Sequence, residues 1–362
     1  MRIVIDTQTM LGKKSGFGFY VKNLVENLKK IDTQNEYFLI DSGKNKDLRT
    51  YERIWWDQVK FVKKVKLIKP DVVHKTCFSV PKFGNFKKVV TIHDIIPILY
   101  PENFSMSSRF YFTKLMPWSY KFADYIITIS ESAKKDLVEK LGLDENKIKV
   151  IYEAAGSEFR VITDLNRIEE VKKKYGISGN YILNVGTLEP RKNLEFLVNV
   201  FNDIRKLRYS DIGDLKLVIA GKKGWRYENI FLLIKELNLQ DKVIFTDYVE
   251  EGDLPYLYNG AKLFAFPSIY EGFGLPILEA MKCGVPVISS NSSSLPEVVG
   301  DAGILIDPKN KEVWVKNIIE VLKSPEKQIM MKADGLKQAD KFSWKKCAEE
   351  TLEVYNELKI ID

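Results

Sequence analysis

The sequence predicts an α/β fold made of two Rossmann-like domains, each with a parallel sheet facing a central cleft. Three observations predict it. Apolar runs of strand length alternate with amphipathic helical stretches in both halves of the chain. The succession of strand, glycine-bearing loop and helix at residues 2–28 starts again at residues 181–201. The chain has 362 residues, more than one hydrophobic core usually accommodates, so two domains are expected.

The first half contains six apolar runs of strand length. They cover residues 2–5, 37–40, 71–74, 89–94, 125–129 and 148–152. A glycine-rich turn at residues 12–20 precedes a helix at 21–28, and a basic amphipathic helix is predicted at 55–69. Residues 98–122 are rich in aromatic side chains, for which packing is the default interpretation. The periodicity lapses at 153–167, where we place the linker.

The second half repeats this pattern. Its predicted strands cover residues 181–185, 215–220, 243–245, 263–266, 285–288 and 303–306. The loop at 186–193 leads into a helix at 194–201, and a final amphipathic helix extends from 343 to 358. We therefore expect domains at residues 1–160 and 161–342, followed by a C-terminal helical segment at 343–362.

Composition limits the partners and the compartment. The 56 Lys and Arg against 49 Asp and Glu give a net charge of +7, which suits an anionic partner such as a nucleotide or a phospholipid surface without selecting one. The three cysteines are far apart and odd in number, which favours a reducing compartment. No apolar run approaches the roughly 20 residues of a spanning helix, and the first residues lack the pattern of a signal peptide. We therefore expect a cytoplasmic protein.

The most informative stretch is FPSIYEGFGLPILEAMKCGV, at residues 266–285. A glycine-bearing loop there follows a buried strand and feeds a helix that has Pro276 in its first turn. Free backbone N–H groups and the positive end of the helix dipole make such a loop a good anion site. Glu271 and Glu279 bracket the loop, with seven residues between them.

Arg191 and Lys192 form the second informative motif, in the loop after the first strand of the second half. Two cations at the start of a helix are unfavourable for the helix dipole, so the pair favours a bound anion. A diphosphate is a suitable anion, because Arg can contact two of its oxygens and Lys adds a point charge. Two surface cations without a ligand are the alternative. No D-x-D pair occurs in the sequence, so a bound divalent metal is not needed to neutralise the diphosphate.

The segment EGFGLPILEA resembles the E-x7-E motif of retaining glycosyltransferases of family 4, the group 1 type, which have the GT-B fold and include bacterial and archaeal mannosyltransferases. The stretches SGFGFY, TIHD, VGTLEPRKN, DYVEEGDLPYLY and SSSLPEV extend the resemblance over nearly the whole chain. One departure is Phe19, because relatives often carry a basic residue at that position.

The resemblance implies that a hexose, with mannose as first candidate, moves from a nucleotide-diphosphate sugar to a glycan or lipid-linked acceptor in polysaccharide or cell-envelope synthesis. The donor would be GDP-mannose or a UDP- or ADP-hexose. No cofactor, no metal and no nucleic acid are expected. The first domain would bind the acceptor and the second the donor, and the C-terminal helix would cross back onto the first domain.

The resemblance also implies residue roles. Arg191, Lys192 and the backbone at Phe273 and Gly274 would stabilise the diphosphate, Glu271 would hold the donor sugar and Glu279 the ribose. Tyr248 and Val249 would contact the base. The remaining donor-binding candidates come from the glycine-bearing loops and are Gly16, Gly18, Gly186, Gly272 and Leu275. The expected catalytic residues are His93, Asp94, Glu271, Arg191 and Lys192.

Three features allow more than one interpretation. His74 and His93 both end predicted strands; His74 is as well explained by structure as by function, whereas Asp94 could orient His93 or accept a substrate hydroxyl. Gly16 and Gly18 could approach phosphate or only relax a turn. The helix at 55–69 could contact an anionic membrane surface, or could be a domain helix with solvated lysines.

Two other functions fit a two-domain chain of this kind. One is an isomerase of the 2-epimerase type, which would use a sugar nucleotide and transfer no sugar to an acceptor. The other is a non-enzymatic two-lobed binding protein. A nicotinamide cofactor is disfavoured, because the spacing of the first glycine-rich turn is not G-x-G-x-x-G.

Overall fold

The structure is a computed structural model that describes residues 1–11, 16–44, 48–207 and 214–360. Over these residues the chain divides into two compact units. The first contains Met1–Glu153 together with the residues from Ser343 onward, and the second is Ala154–Phe342. The division falls before the predicted boundary at 160/161, inside the predicted linker.

The described part of the first unit contains a six-stranded parallel sheet in the order β2-β1-β3-β4-β5-β6. Its strands are β1 (Arg2–Asp6), β2 (Glu36–Ile40), β3 (Val72–Lys75), β4 (Lys87–Ile92), β5 (Tyr125–Thr128) and β6 (Ile148–Val150). Its helices begin with α1 (Gly16–Ile31), α2 (Thr50–Trp55), α3 (Phe61–Ile68), α4 (Ile96–Leu99), α5 (Met106–Phe110), α6 (Met116–Ser119) and α7 (Glu131–Leu141).

The described part of the second unit has a second parallel six-stranded sheet, in the order β12-β11-β10-β7-β8-β9. Its strands are β7 (Tyr181–Val185), β8 (Lys216–Ala220), β9 (Val243–Phe245), β10 (Leu263–Phe266), β11 (Val287–Ser290) and β12 (Ile304–Ile306). Its helices are α8 (Leu165–Lys174), α9 (Leu194–Lys206), α10 (Glu228–Glu236), α11 (Leu254–Gly260), α12 (Leu275–Lys282), α13 (Leu295–Val299), α14 (Lys311–Lys323) and α15 (Pro325–Ala339). The predicted α/β class with two Rossmann-like sheets is confirmed.

The last helix, α16 (Trp344–Ile360), belongs to the first unit and packs against α1. Val354, Tyr355 and Leu358 of α16 are buried there, and Trp344 contacts the rings of Phe19 and Tyr20 at centroid distances of 5.8 and 6.0 Å. Fully burying such a side chain stabilises a fold by roughly 1.5–3 kcal/mol. The helix is therefore an integral part of the first unit.

The strand orders indicate where each sheet can bind a ligand. In the second unit, β9-β8-β7-β10-β11-β12 is the order 3-2-1-4-5-6 of the dinucleotide-binding plan. In the first, β2-β1-β3-β4-β5 is the flavodoxin-like order. Such sheets bind ligands beyond the carboxyl ends of the strands where the order reverses, which is between β7 and β10 in the second unit and between β1 and β3 in the first.

Two helical predictions are corrected. The stretch predicted as a helix at 55–69 is helical up to Ile68, but the helical segment starts earlier, with α2 at Thr50, and a π-helical turn over Trp56–Lys60 connects α2 to α3. Helix α1 begins at Gly16, so Gly16 and Gly18 lie in its first turn and not in a loop before it. The remainder of the predicted turn, residues 12–15, lies outside the described residues.

Candidate active site

The best-supported site lies in the second unit, where β7 and β10 end side by side. The loop after β7 contains the short 3₁₀ turn Pro190–Lys192, and the loop after β10 contains Glu271. Two hydrogen bonds join the loops: the Ile269 N–H donates to the Arg191 carbonyl at 2.9 Å, and the Ser268 hydroxyl donates to the same carbonyl at 3.2 Å. The two strongest sequence motifs are therefore brought together at the reversal of strand order.

Glu271 binds both cations of the first motif. Its carboxylate lies 2.7 Å from Arg191 Nη1 and 2.5 Å from Lys192 Nζ, and it also accepts a hydrogen bond of 2.6 Å from the Ser268 hydroxyl. Glu189 forms a second ion pair with Arg191. The two cations before a helix predict an anion beside Arg191 and Lys192, and Glu271 and Glu189 place carboxylates there.

Burial and ion pairing together set the ionisation of this cluster. Lys192 and Glu271 are buried. Burial lowers the pKa of Lys192, although the nearby charge of Glu271 acts in the opposite direction. Burial alone would raise the pKa of Glu271, but the charges of Lys192 and Arg191 hold that pKa below its ordinary value. The carboxylate is therefore ionised at neutral pH.

Serines fix the backbone on both sides of Glu271. The Glu271 N–H donates to the Ser293 hydroxyl at 2.8 Å, and the Ser294 hydroxyl donates to the carbonyls of Glu271 and Phe273 at 3.0 and 2.7 Å. The serines lie in the SSSLPEV stretch after β11, and their role in holding this loop was not predicted from the sequence. Fixing the loop also fixes where its N–H groups point.

The end of this loop leads into α12. Phe273 is buried, and its ring contacts Phe342 at a centroid distance of 5.8 Å, while Gly272 is buried beside it. Gly274 has φ 126°, and a Cβ there would lie 2.9 Å from Leu295 Cδ2, so this position requires glycine. Helix α12 begins at Leu275, and its N-terminus follows the predicted phosphate-binding loop.

Glu279 lies in α12 and differs from Glu271 in its environment. Its carboxyl accepts a hydrogen bond of 2.8 Å from the Tyr258 hydroxyl. Burial raises the pKa of Glu279 to about 7, with a smaller contribution from Glu158, and the hydrogen bond from Tyr258 partly opposes that rise. Near neutral pH, Glu271 is therefore ionised, whereas Glu279 changes its protonation state.

The remaining candidates of the second unit follow other strands of the sheet. Gly186 directly follows β7, and its N–H donates to the Ala220 carbonyl at 2.9 Å. Tyr248 and Val249 follow the edge strand β9, with the Tyr248 side chain exposed and Val249 buried. All of these lie beyond the carboxyl ends of the strands, and their donor contacts stay predictions.

The first-unit candidates have different surroundings. A Cβ at Gly18 would lie 2.4 Å from the Thr9 carbonyl oxygen, so close backbone packing alone requires a glycine there. A Cβ at Gly16 would meet no atom within 4 Å. Donor contacts of Gly16 and Gly18 stay predictions, and the packing interpretation explains Gly18.

His93 is not oriented by Asp94, which corrects the prediction. Its Nδ1 lies 2.9 Å from Glu153 Oε1 and its Nε2 lies 3.1 Å from the Thr76 carbonyl, while Asp94 accepts a hydrogen bond from the Ile96 N–H at 2.8 Å. Both ring nitrogens of His93 therefore contact acceptor oxygens of the protein itself. The sequence could not show this, because Glu153 is 60 residues away.

His74 has a structural role. Its ring nitrogens contact the Tyr355 hydroxyl at 2.6 Å and the Thr91 hydroxyl at 2.8 Å, and all three side chains are buried. Burial lowers its pKa to about 3, with a further contribution from His93. His74 is therefore neutral at physiological pH and connects β3 and β4 to α16.

Comparison with known proteins agrees with these motifs. Residues 167–338 match the family model described as glycosyl transferases group 1, and residues 32–158 match glycosyltransferase family 4. The chain is 34% identical over 272 residues to O-antigen chain mannosyltransferase B of Escherichia coli, covering 74% of this chain and 70% of that protein. The chain belongs to glycosyltransferase family 4.

Other relatives of this glycosyltransferase share parts of its length. It is 34% identical over 311 residues to the serotype-specific mannosyltransferase WbdA of Escherichia coli, covering 80% of this chain but only 37% of that longer protein. It is 30% identical over 257 residues to O-antigen chain mannosyltransferase RfbU of Salmonella typhimurium, covering 70% of this chain and 66% of that one. The alternatives of an isomerase and a non-enzymatic binding protein gain no support from these relatives.

Solved structures share its fold. Sucrose-phosphate synthase of Thermosynechococcus elongatus has a TM-score of 0.78 at 20% identity, with 100% of both chains covered. HepE of Anabaena, solved with UDP and glucose, has a TM-score of 0.75 at 17% identity, covering 99% of this chain and 100% of that one. At these identities the similarity shows the fold alone, which is the predicted GT-B fold.

The described residues contain neither a candidate metal site nor a candidate membrane-spanning helix. Among them, no three or more His, Cys, Asp or Glu side chains are grouped so that they could hold a metal ion. None of the helices in the described part of the chain combines the length and the apolar character that crossing a membrane requires.

Proposed function

We propose that this glycosyltransferase is a retaining, metal-independent hexosyltransferase that uses a nucleotide-diphosphate sugar. The observation that carries the proposal is the cluster of Arg191, Lys192 and Glu271 at the β7/β10 reversal, next to the N-terminus of α12. Cleavage of the glycosyl–phosphate bond places negative charge on the departing diphosphate. The buried Lys192, the largely buried Arg191 and the preorganised N–H groups before α12 stabilise such charge strongly, because little water reaches them.

Each part of the nucleotide sugar binds particular residues in this proposal. The diphosphate binds Arg191, Lys192 and the N–H groups of the loop at 272–274, Glu271 binds hydroxyls of the sugar, and Glu279 binds the ribose. Tyr248 and Val249 contact the base. The mannosyltransferase relatives support mannose as the sugar and GDP-mannose as the first donor to test, with UDP- and ADP-hexoses as the other donors.

The reaction retains the anomeric configuration in this proposal. The bond between the anomeric carbon and the diphosphate oxygen breaks with its electron pair going to that oxygen, and the acceptor hydroxyl attacks from the same face. The acceptor proton passes to the departing oxygen, so no protein nucleophile is needed. His93 performs no proton transfer here, because both of its ring nitrogens already contact protein oxygens. Asp94 remains the candidate contact for a substrate hydroxyl.

The acceptor in the proposal is a glycan or lipid-linked sugar bound by the first unit, and the enzyme works in the cytoplasm at the inner membrane face. The three free cysteines are buried, which agrees with a reducing compartment.

The proposed membrane contact involves α2 and α5, which the Thr50 and Ser108 hydroxyls, 2.7 Å apart, bring together. Four large exposed side chains lie on these two helices, and they are Tyr51, Trp55, Met106 and Phe110. Exposed apolar groups near the basic helix α3 suit an anionic bilayer.

The membrane contact has its own test. Wild-type enzyme should sediment with vesicles that contain phosphatidylglycerol and not with phosphatidylcholine vesicles, and the double substitution Trp55→Ser and Phe110→Ser should abolish the difference. Equal binding to both vesicle types would contradict the contact.

Substituting Lys192 tests the donor site. Lys192→Met should lower turnover of the preferred nucleotide sugar by about 10²–10³-fold, because one cation that stabilises the departing diphosphate is lost. The matched control is Lys311→Met, which removes an exposed lysine from an ion pair of 2.7 Å with Asp203 in the same unit. Circular dichroism verifies folding, and NMR of the product gives its anomeric configuration. Full activity of a folded Lys192→Met enzyme, or inversion of configuration, would contradict the proposal.

A further inference from the structure

The cations of the proposed donor site are paired with carboxylates of the protein itself. Arg191 and Lys192 carry two positive charges, and Glu189 and Glu271 carry two negative charges in direct contact with them. The side chains of the four residues are between 4% and 11% exposed, so water screens these ion pairs weakly. A diphosphate that approaches this cluster meets cations that are already paired.

Glu271 is paired with the same two cations that bind the diphosphate in the proposed function. It contacts Lys192 and Arg191 directly, and its backbone is fixed by Ser293 and Ser294. Lys192 and Arg191 keep other N–H donors, but a carboxylate and a diphosphate on the same two cations repel each other where screening is weak, so the diphosphate binds best when the carboxylate leaves at least one cation. A buried carboxylate that loses its cation and finds no new partner is strongly unfavourable.

We propose that Glu271 is an exchangeable counter-ion, which makes the site select the intact nucleotide sugar over the free nucleoside diphosphate. This inference rests on the proposed function. When the nucleotide sugar binds, its diphosphate takes the cations and its sugar hydroxyls donate to the displaced carboxylate, so every buried charge keeps a partner. A free nucleoside diphosphate can pair with the cations, but it has no sugar hydroxyls to bind the displaced carboxylate.

The same exchange explains how the product leaves. After transfer the hexose is on the acceptor, and Glu271 loses the hydroxyls that held it. The carboxylate then returns to Lys192 and Arg191 and competes with the nucleoside diphosphate for them. Product release limits the turnover of many enzymes, so a competing group inside the site favours rapid turnover.

Substitution of Glu271 by glutamine tests whether the carboxylate competes with the diphosphate for the two cations or only binds the sugar. Calorimetry measures the Kd of GDP, UDP, GDP-mannose and UDP-glucose for each protein. Wild type should bind the nucleotide sugar more tightly than its nucleoside diphosphate. Glu271→Gln should bind the free diphosphate about tenfold more tightly than wild type does, because the competing charge is gone. Its preference for the nucleotide sugar should shrink or reverse.

Glu189→Gln is the matched control. It also removes a carboxylate from Arg191 and leaves the Lys192–Glu271 pair in place. It should change the affinities for the free diphosphate and the nucleotide sugar by the same factor, so the ratio of the two Kd values stays that of wild type. If Glu271→Gln does not fold, Glu271→Asp shortens the reach of the carboxylate, and a smaller change in the same direction is expected.

The outcomes are distinct. Weaker binding of the free diphosphate by Glu271→Gln, or an unchanged ratio of Kd values, would overturn the exchange while leaving the donor site intact. If wild type binds none of the four nucleotides, and neither ADP nor ADP-glucose, the proposed function fails and the exchange fails with it. Tighter diphosphate binding with a reduced ratio supports both.

Discussion

At the scale of single residues, Glu279 gives the clearest dependence on pH. Burial raises its pKa to about 7. In the proposed function the ionised carboxylate accepts hydrogen bonds from both ribose hydroxyls, whereas a protonated carboxyl would accept fewer. We therefore expect kcat/KM to rise as pH increases through about 7 and then level off, since kcat/KM reports ionisations of the free enzyme. Glu279→Gln should lower kcat/KM and remove its rise with pH. Measuring kcat/KM against pH for both proteins tests this expectation.

The same carboxyl affects stability with the opposite sign. Its pKa in the folded protein lies above its ordinary value of 4.5, so between these values the folded state binds more protons than the unfolded state. The stabilisation from Glu279 is therefore complete below about 4.5 and is lost as pH rises through about 7. Denaturant titrations of wild type and Glu279→Gln across this range should diverge as pH rises, and parallel curves would contradict the shifted pKa.

The residues of the site were predictable from the sequence to different degrees. Arg191 and Lys192 were recognised because two cations before a helix conflict with its dipole. Glu153, the partner of His93, could not be recognised, because a contact 60 residues apart has no local pattern. The buried ion pairs of Lys75 with Asp6 and Asp57 were missed for the same reason. Unfavourable placements within one segment, such as cations at the start of a helix, can be recognised in a sequence, whereas partners distant in sequence cannot.

At the scale of elements, the strands were predicted well and the helices less well. A strand in a parallel sheet is buried on both faces, so its continuous apolar run stands out, as in β7 and β10. The stretch at 55–69 is helical as predicted, but its π-helical turn at Trp56–Lys60 was missed because such a turn changes the helical phase without any sequence signal. The start of α1 was missed because glycines usually indicate a loop.

Helix α16 provides a test of docking within the first unit. Tyr355→Phe leaves a ring nitrogen of His74 without its partner in a buried environment. We expect the free energy of unfolding to fall by about 1–2 kcal/mol, measured by urea denaturation. Tyr51→Phe removes the hydroxyl of an exposed tyrosine of the same unit and should change it by less than about 0.5 kcal/mol. Equal effects would contradict a specific role for the His74 contact.

The loops after β7 and β8 approach each other closely at one glycine. Gly221 has φ 152°, and a Cβ there would lie 2.0 Å from the Gly186 carbonyl oxygen. Gly221→Ala should therefore lower the free energy of unfolding by about 2–3 kcal/mol and weaken donor binding, because the loop that leads to Arg191 must move. The control is Gly252→Ala, whose Cβ would meet no atom within 4 Å. Thermal denaturation and calorimetry measure the two effects, and similar melting temperatures for both variants would refute the close approach.

At the scale of the whole molecule, the first unit is discontinuous in sequence. It needs α16, which is synthesised after the whole of the second unit. Domains generally fold as units during synthesis, so the second unit should fold before the first is complete. Ribosome-bound chains that expose residues 1–342 should resist protease over 154–342 and be cleaved within 1–153. Chains that also expose residues 343–360 should resist protease in both units. Protection of residues 1–153 before residues 343–360 are exposed would contradict this order of folding.

This interruption also limits how relatives could recombine. A crossover at a single point cannot transfer the first unit intact, because α1 and its partner α16 lie on opposite sides of the second unit in the sequence. Exchange of the second unit needs two joints, at 153/154 and 342/343. A chimaera that replaced only the segment before the first joint would bring a foreign α1 against the original α16. Inherited changes on those two facing helices should therefore occur together.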